Sequence, residues 1–280
     1  MESALASTTA LRVALRRAAH QLHDSPLVFD DPVAIPILGA AYAEELRRTP
    51  LRPDRPFSTG LRAFIVARSR YAEDNLRRAV ETGVRQYVLL GAGLDTFAYR
   101  NPYPQLRVFE VDHPATQQWK RDLLQRNGIA IPETVTYTPV DFERQSLSEQ
   151  LREVGFDRHV PAFFAWLGVV PYLTLQAFRA TVGFISTQPT GSGVVLDYGQ
   201  PRAVLPPLEQ LAHDSLSSRV EQAGEPFQLF FTPPEIAVEL SAFRNLEDLG
   251  ASEINARYFD GRADKLAVRG SAGRLLSAWR

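Results

Sequence analysis

The chain has 280 residues, 45% of them hydrophobic and 22% charged, an ordinary globular mixture with ample material for a core. Its 31 basic and 32 acidic residues leave a formal net charge of −1, so no overall field draws nucleic acid or an anionic membrane to the surface. With no cysteine, disulfides, thiolate metal sites and a cysteine nucleophile are excluded.

Residues 1–24 carry Leu11, Leu15 and Leu22 with Ala18 between them, a helical stripe that Thr8 or Thr9 would cap. Arg12, Arg16 and Arg17 give the segment a passing likeness to an organellar transit peptide, but the serine richness is missing. Glu2 stands where a secretory signal would be positive and no apolar stretch comes after it, so a cytoplasmic location is expected. Pro26, Pro32, Pro36, Pro50, Pro53 and Pro56 keep helices short over 25–60, and 46–55 reads as an exposed basic loop. From 60 to 82, Leu61, Phe64, Ile65, Tyr71, Leu76 and Val80 recur at near-helical spacing until Gly83 ends the helix. Arg68 and Arg70 lie on it, with Glu73 and Asp74 as surface partners within helical reach.

Residues 86–112 are the most informative stretch. A short continuous apolar run at 87–91 reads as a buried parallel strand, and Gly91-Ala92-Gly93 then turns the backbone sharply. A second apolar run at 106–111 ends on Asp112, 19 residues beyond Gly93. A βαβ unit places a carboxylate there, within reach of a ribose diol. The third glycine of a dinucleotide fingerprint is absent, Thr96 standing in its place, and no Gly-Lys-Ser/Thr is present for a triphosphate. Asp95 occupies the spot where a phosphate would meet a helix N-terminus, an unfavourable pairing of anions. An adenosine cofactor without phosphate and with a cationic end fits these residues, and S-adenosylmethionine is that molecule. A tight turn in an ordinary α/β protein would share the same glycines.

Beyond Asp112 the pattern gives a helix over 114–127 and a strand over 134–140 ending at Asp141-Phe142. A helix over 146–154 comes next, for which Asp141 is an alternative N-cap. Twenty uncharged residues separate Arg158 from Arg179, but Pro161 and Pro171 argue for a strand at 162–167, a turn and a helix capped by Thr174, not a membrane span. A fifth strand covers 193–198, and 201–232 forms a polar, proline-bounded insertion. Thr232 to Glu235 opens a further helix, and short strands at 246–251 and 266–268 close the sheet. The expected fold is an α/β, Rossmann-like, seven-stranded, mostly parallel sheet with helices on both faces and a helical cap. One domain over 1–280 is expected, with 1–60 as N-terminal cap segment and 201–232 as cap insertion.

LLGAGLDTFAYR followed by FEVDHPATQQWKR resembles the leucine carboxyl methyltransferase family of class I S-adenosylmethionine-dependent methyltransferases. RAAHQLHDSPLVFDDPVA, ARSRYAEDNL, PVDFE, PAFFAWLGVVPYLT and YFDGRADKLAV look like further family blocks in family order, covering most of the chain from about residue 11. The resemblance implies that Arg68 meets the methionine carboxylate of the cofactor, that Asp141 accepts from the adenine amino group, and that Phe142 lies beside the ring. It extends the cofactor set to Gly91, Ala92, Gly93, Asp95, Asp112, His113 and Leu167. Leu167-Gly168 stands where phosphatase-type members carry Glu-Gly, which weakens any transfer of their substrate.

The activity implied is O-methylation of a carboxylate or hydroxyl on a small molecule such as a secondary metabolite. No catalytic base stands out: His20 and His23, three apart on the first helix, and Tyr172 are weak candidates, with Tyr198 a further candidate for the acceptor pocket. No metal, nucleic acid or membrane is expected as a partner. A nicotinamide-dependent oxidoreductase and a non-catalytic nucleoside-binding module remain the rival classes, and oligomeric state is not legible.

Overall fold

The computed structural model describes residues 8–48, 56–142, 144–222 and 224–280. Seven strands among them, β1 (Gln86–Leu90), β2 (Arg107–Asp112), β3 (Val135–Pro139), β4 (Ala162–Trp166), β5 (Gly193–Gly199), β6 (Asn245–Leu249) and β7 (Gly273–Trp279), form one sheet in the order β3-β2-β1-β4-β5-β7-β6. The first five pair in parallel, and β7 runs antiparallel to both β5 and β6. The fold is thus the expected Rossmann-like, mostly parallel seven-stranded sheet.

Alternation along each strand sends successive side chains to opposite faces. On one face Tyr87, Leu89, Val108, Phe163, Ala165 and Val195 pack with Tyr71, Ala72, Leu76 and Ala79 of α3 (Pro56–Glu81) and Ile254 of α9 (Ala251–Tyr258). On the other, Val88, Leu90, Phe109, Phe164 and Trp166 meet Leu151 of α5 (Leu147–Glu153), Phe178, Val182 and Ile185 of α6 (Leu175–Ser186), and Ile236 of α8 (Pro233–Glu239). With both faces covered, β1 and β4 are buried at every position, which is why they read as unbroken apolar runs. Helix α3 starts earlier than its apolar spacing suggests because Pro56 fits a first turn, where its missing N–H costs nothing.

The remaining helices are α1 (Thr8–His23), α2 (Ala40–Arg48), α4 (Pro114–Arg126), whose Gln117 and Lys120 bond Glu110 of β2, and α7 (Pro207–Glu221). Ala14 and Ala18 of α1, Ile37 and Leu38 of a short 3-10 turn, Leu94 and Leu124 of α4 form a third apolar cluster. The basic stretch read at 46–55 begins at the end of α2, and 49–55 lie outside the described residues. The uncharged segment before Arg179 is divided between β4, a 3-10 turn and α6, and among the described residues no helix is long and apolar enough to cross a membrane.

The last strand is not where the sequence pattern puts it. Leu266 and Val268 are buried, but their segment is coil, and the Val268 N–H and C=O are taken by the Asn255 side chain at 2.8 and 2.9 Å. Those backbone groups are therefore not available to a sheet neighbour. The strand that inserts between β5 and β6 is Gly273–Trp279 instead.

Candidate functional site

The strand order reverses between β1 and β4, and a crevice opens at the carboxyl ends of strands on either side of such a point. Here it is a cavity of about 500 Å³, within the range of small-molecule sites. Its floor is the turn after β1. The N–H groups of Gly91 and Ala92 donate to Val111 O at 2.8 and 3.0 Å, tying the turn to the tip of β2. Gly91 has φ +69°, and a Cβ there would stand 2.3 Å from Val169 Cγ2, so the position needs glycine both for its backbone and for its space.

At that tip Asp112 is clasped on both oxygens. Gly93 N–H donates to Oδ2 and His113 N–H to Oδ1 at 2.7 Å. Burial pushes the Asp112 carboxyl above its ordinary range, against the opposing pull of those two donors. His113 Nδ1 accepts from Ala115 N–H at 3.2 Å and so caps α4, while its ring borders the cavity. Asp95 Oδ1 accepts the Phe97 N–H at 2.8 Å, starting a 3-10 turn, and Oδ2 faces Arg17 of α1 at 3.4 Å. Arg17 also donates to Leu94 O and lies 3.9 Å from Asp31, which bonds the Thr96 hydroxyl at 2.6 Å and Arg100 at 3.2 Å.

Across the cavity Arg68 reaches Asp197 Oδ2 on β5 at 3.0 Å, and the Gly168 N–H takes the other oxygen. Its surface alternatives are otherwise engaged: Glu73 by Arg100, and Asp74 by Arg70 and Arg77. Gly168 has φ +72°, and a Cβ would come within 2.8 Å of Arg68 Nη2. Over the top, Oε2 of Glu225, in the loop after α7, accepts the Thr9 N–H at 3.3 Å and the Thr9 hydroxyl. Tyr172 packs near Phe227, with ring centroids 5.1 Å apart, and burial pushes its phenol up to about 12 against the lowering effect of the Thr9 hydroxyl.

Of the sequence-selected residues, Arg68, Gly91, Ala92, Gly93 and Asp95 line this cavity, as do Asp112, His113, Phe142, Leu167 and Tyr172. Asp141 stands between the lining residues Val140 and Phe142 but is not itself on the wall, and it does not cap α5, whose N-cap is Ser146.

The two histidines of α1 are not brought to the cavity. His20 is fully buried, its Nδ1 lying 2.8 Å from Asp24 while Nε2 accepts from Val28 and Phe29 N–H at 3.1 and 3.3 Å. Two donors at Nε2 place the ring proton on Nδ1. Burial raises the Asp24 carboxyl, but hydrogen bonds from His20 and Arg62 outweigh it and hold the group below its usual range. His23 Nε2 lies 3.2 Å from Leu46 O. His20 thus fastens α1 to the chain at 28–29, and His23 fastens it to the end of α2. Tyr198 also turns away, its hydroxyl donating to Asp248 at 2.7 Å, so its neighbour Asp197 faces the site instead.

Arg17, Asp197, Thr9 and Glu225 escape sequence reasoning. Asp197 had a readable signal, an acid at the end of an apolar strand like Asp112. Thr9 and Glu225 meet across 216 positions and had none.

A family model for leucine carboxyl methyltransferase matches residues 10–186. YktD of Bacillus subtilis (strain 168), which carries the name of an S-adenosyl-L-methionine-dependent methyltransferase, is 32% identical over 94% of each chain. A Mycobacteroides abscessus protein of the same name is 38% identical over 59% of this chain and 55% of its own. A crystal structure of a Thermobifida fusca YX protein described as a methyltransferase superposes with a TM-score of 0.59 at 19% identity, covering 96% of this chain and 94% of the other. At that identity the likeness bears on the fold.

Proposed function

Because the chain belongs to the leucine carboxyl methyltransferase family and is an S-adenosylmethionine-dependent methyltransferase, we propose that it methylates an oxygen, carboxylate or hydroxyl, of a small molecule held in this cavity. The observation that supports the cofactor's placement is the clasp on Asp112. Each carboxylate oxygen spends one lone pair on a backbone N–H and keeps capacity for a ribose hydroxyl. The fit extends to the turn itself: Asp95 is committed to Arg17 and Phe97, leaving an acid where a dinucleotide would need room for phosphate.

In this reading Gly91, Ala92 and Gly93 pass beneath the nucleoside, and His113 and Leu167 border it. Phe142 and Val140 contact the adenine. Arg68, oriented by Asp197, meets the methionine carboxylate with the donors Asp197 leaves over. When bound, the cofactor supplies a methyl group already activated on a sulfonium. The protein supplies alignment, and holding nucleophile and methyl in line accounts for roughly 7–11 kcal/mol of a barrier. Residues 8–48 and the stretch around α7 act as cap segments of one catalytic domain.

Calorimetric titration with S-adenosylhomocysteine tests the placement. Asp112→Ala is expected to weaken binding by about 1–3 kcal/mol, the scale of a lost hydrogen bond to a charged group. Parent-like affinity in that variant would remove the ribose assignment.

A further inference from the structure

The charged groups on the cavity wall differ in what already holds them. Arg17 is bridged to Asp95 at 3.4 Å and Arg68 to Asp197 at 3.0 Å. Asp112 takes two backbone N–H groups. Among the described residues the Glu225 carboxylate takes the N–H and hydroxyl of Thr9, and no lysine, arginine or histidine bridges it. It is half-buried, and both hydrogen bonds fall on Oε2. Beside it stand Tyr172 and Gln228, whose Nε2 donates to Tyr172 O at 3.0 Å. This wall is built from the start of α1, the 3-10 turn that carries Tyr172 and the loop after α7, none of which the nucleoside placement uses for its ribose or adenine.

We propose that the acceptor is a neutral hydroxyl compound, a phenol or alcohol, whose O–H donates to Glu225, and that Glu225 takes its proton during transfer. This rests on the methyltransferase site described above and narrows its acceptor. An acceptor carboxylate would be brought against an acid that no cation among the described residues bridges, and like charges at close range repel. Neither arginine on the wall is at liberty to offset that: Arg17 bridges Asp95, and the donors that Asp197 leaves to Arg68 are taken in this reading by the methionine carboxylate of the cofactor. A hydroxyl reverses the sign of the interaction by offering a donor to a carboxylate oxygen. The exchange is balanced: the hydroxyl oxygen bonds to the methyl carbon, the carbon–sulfur bond breaks with its electron pair left on sulfur, and the hydroxyl proton passes to Oε1 of Glu225 and then to solvent. The products are a methyl ether, S-adenosylhomocysteine and a proton.

Glu225 also satisfies the backbone at the start of α1, where helix N–H groups lack intrahelical partners. A carboxylate serving only that purpose would act through Thr9 alone. Glu225→Gln separates the two roles, since an amide oxygen still accepts from Thr9 but cannot take the proton. S-adenosylhomocysteine is first titrated into both proteins. Failure of the parent to bind would count against the methyltransferase site itself, whereas matched binding isolates the acceptor question.

Transfer of labelled methyl is then measured to phenol, a nitrophenol, benzyl alcohol and benzoate. The expected result is turnover of the hydroxyl compounds in preference to benzoate. Glu225→Gln should lower kcat on phenol by about 100-fold or more. The nitrophenol, ionised at mildly alkaline pH, brings no proton but a negative charge, so its turnover in Glu225→Gln should hold or rise as the like charge is removed. Preferred methylation of benzoate, silence from every hydroxyl probe, or parent-like phenol turnover by Glu225→Gln would each overturn the proposal.

Discussion

Asp112 ties the folded chain to the proton concentration around it. Burial raises its carboxyl in the folded chain above the unfolded value. The folded state therefore binds more protons across the window between the two values, and the unliganded protein loses stability as pH rises through it. In the proposed placement ribose hydroxyls donate to the carboxylate and favour its ionised form, so cofactor affinity should fall as pH drops into that same window. Asp112→Asn should flatten this dependence, as calorimetry at several pH values would show. Arg68 and Asp197 form a different kind of pair, both nearly buried at 8% and 5% exposure. Arg68→Met would leave Asp197 without its cation and is expected to cost about 3–5 kcal/mol in denaturant unfolding. Adding Asp197→Leu should recover part of that loss, because a buried pair removed whole costs less than one broken.

Among the elements, α6 shows how a local signal and tertiary packing reinforce each other. The Thr174 hydroxyl oxygen accepts the Ala177 N–H at 3.2 Å, as its position ahead of an apolar run suggests, and Phe178 then stacks on Trp166 at 5.3 Å. Thr174→Ala should lower stability by about 1 kcal/mol, and Phe178→Ala by about 3–5 kcal/mol through the cavity it leaves; thermal melts would rank the two. Strand β4, and β1 beyond Gln86, are legible for the same reason they are stable, since a strand covered on both faces has few polar positions to interrupt it. The last strand is not. At 266–268 the apolar residues are real core, yet Asn255 consumes the Val268 backbone, and nothing in the pattern announces a side chain that substitutes for a neighbouring strand. His20 misleads in the opposite direction: its spacing with His23 suggests chemistry, whereas the ring is spent holding the chain after α1.

Across the whole molecule the proposed cofactor half and the proposed acceptor half of the cavity differ in how far apart their parts lie in the chain. The turn after β1 and the tip of β2 belong to one contiguous unit, so spacing alone relates Gly93 to Asp112. The opposite wall joins Thr9, Tyr172 and Glu225, brought together only once the sheet has formed, and no short-range pattern encodes that meeting. At the cavity the same separation gives α1 two attachments of unequal kind. Above, it is tied to Glu225; below, Arg17 is wired into Leu94, Asp95 and, at longer range, Asp31 beneath the glycine bend.

Trimming the leading helix from an expression variant would consequently do more than unroof the chamber. It would strip a guanidinium from between two aspartates and let the bend beneath the nucleoside relax, so a shortened protein should keep its sheet by circular dichroism yet give no heat with S-adenosylhomocysteine.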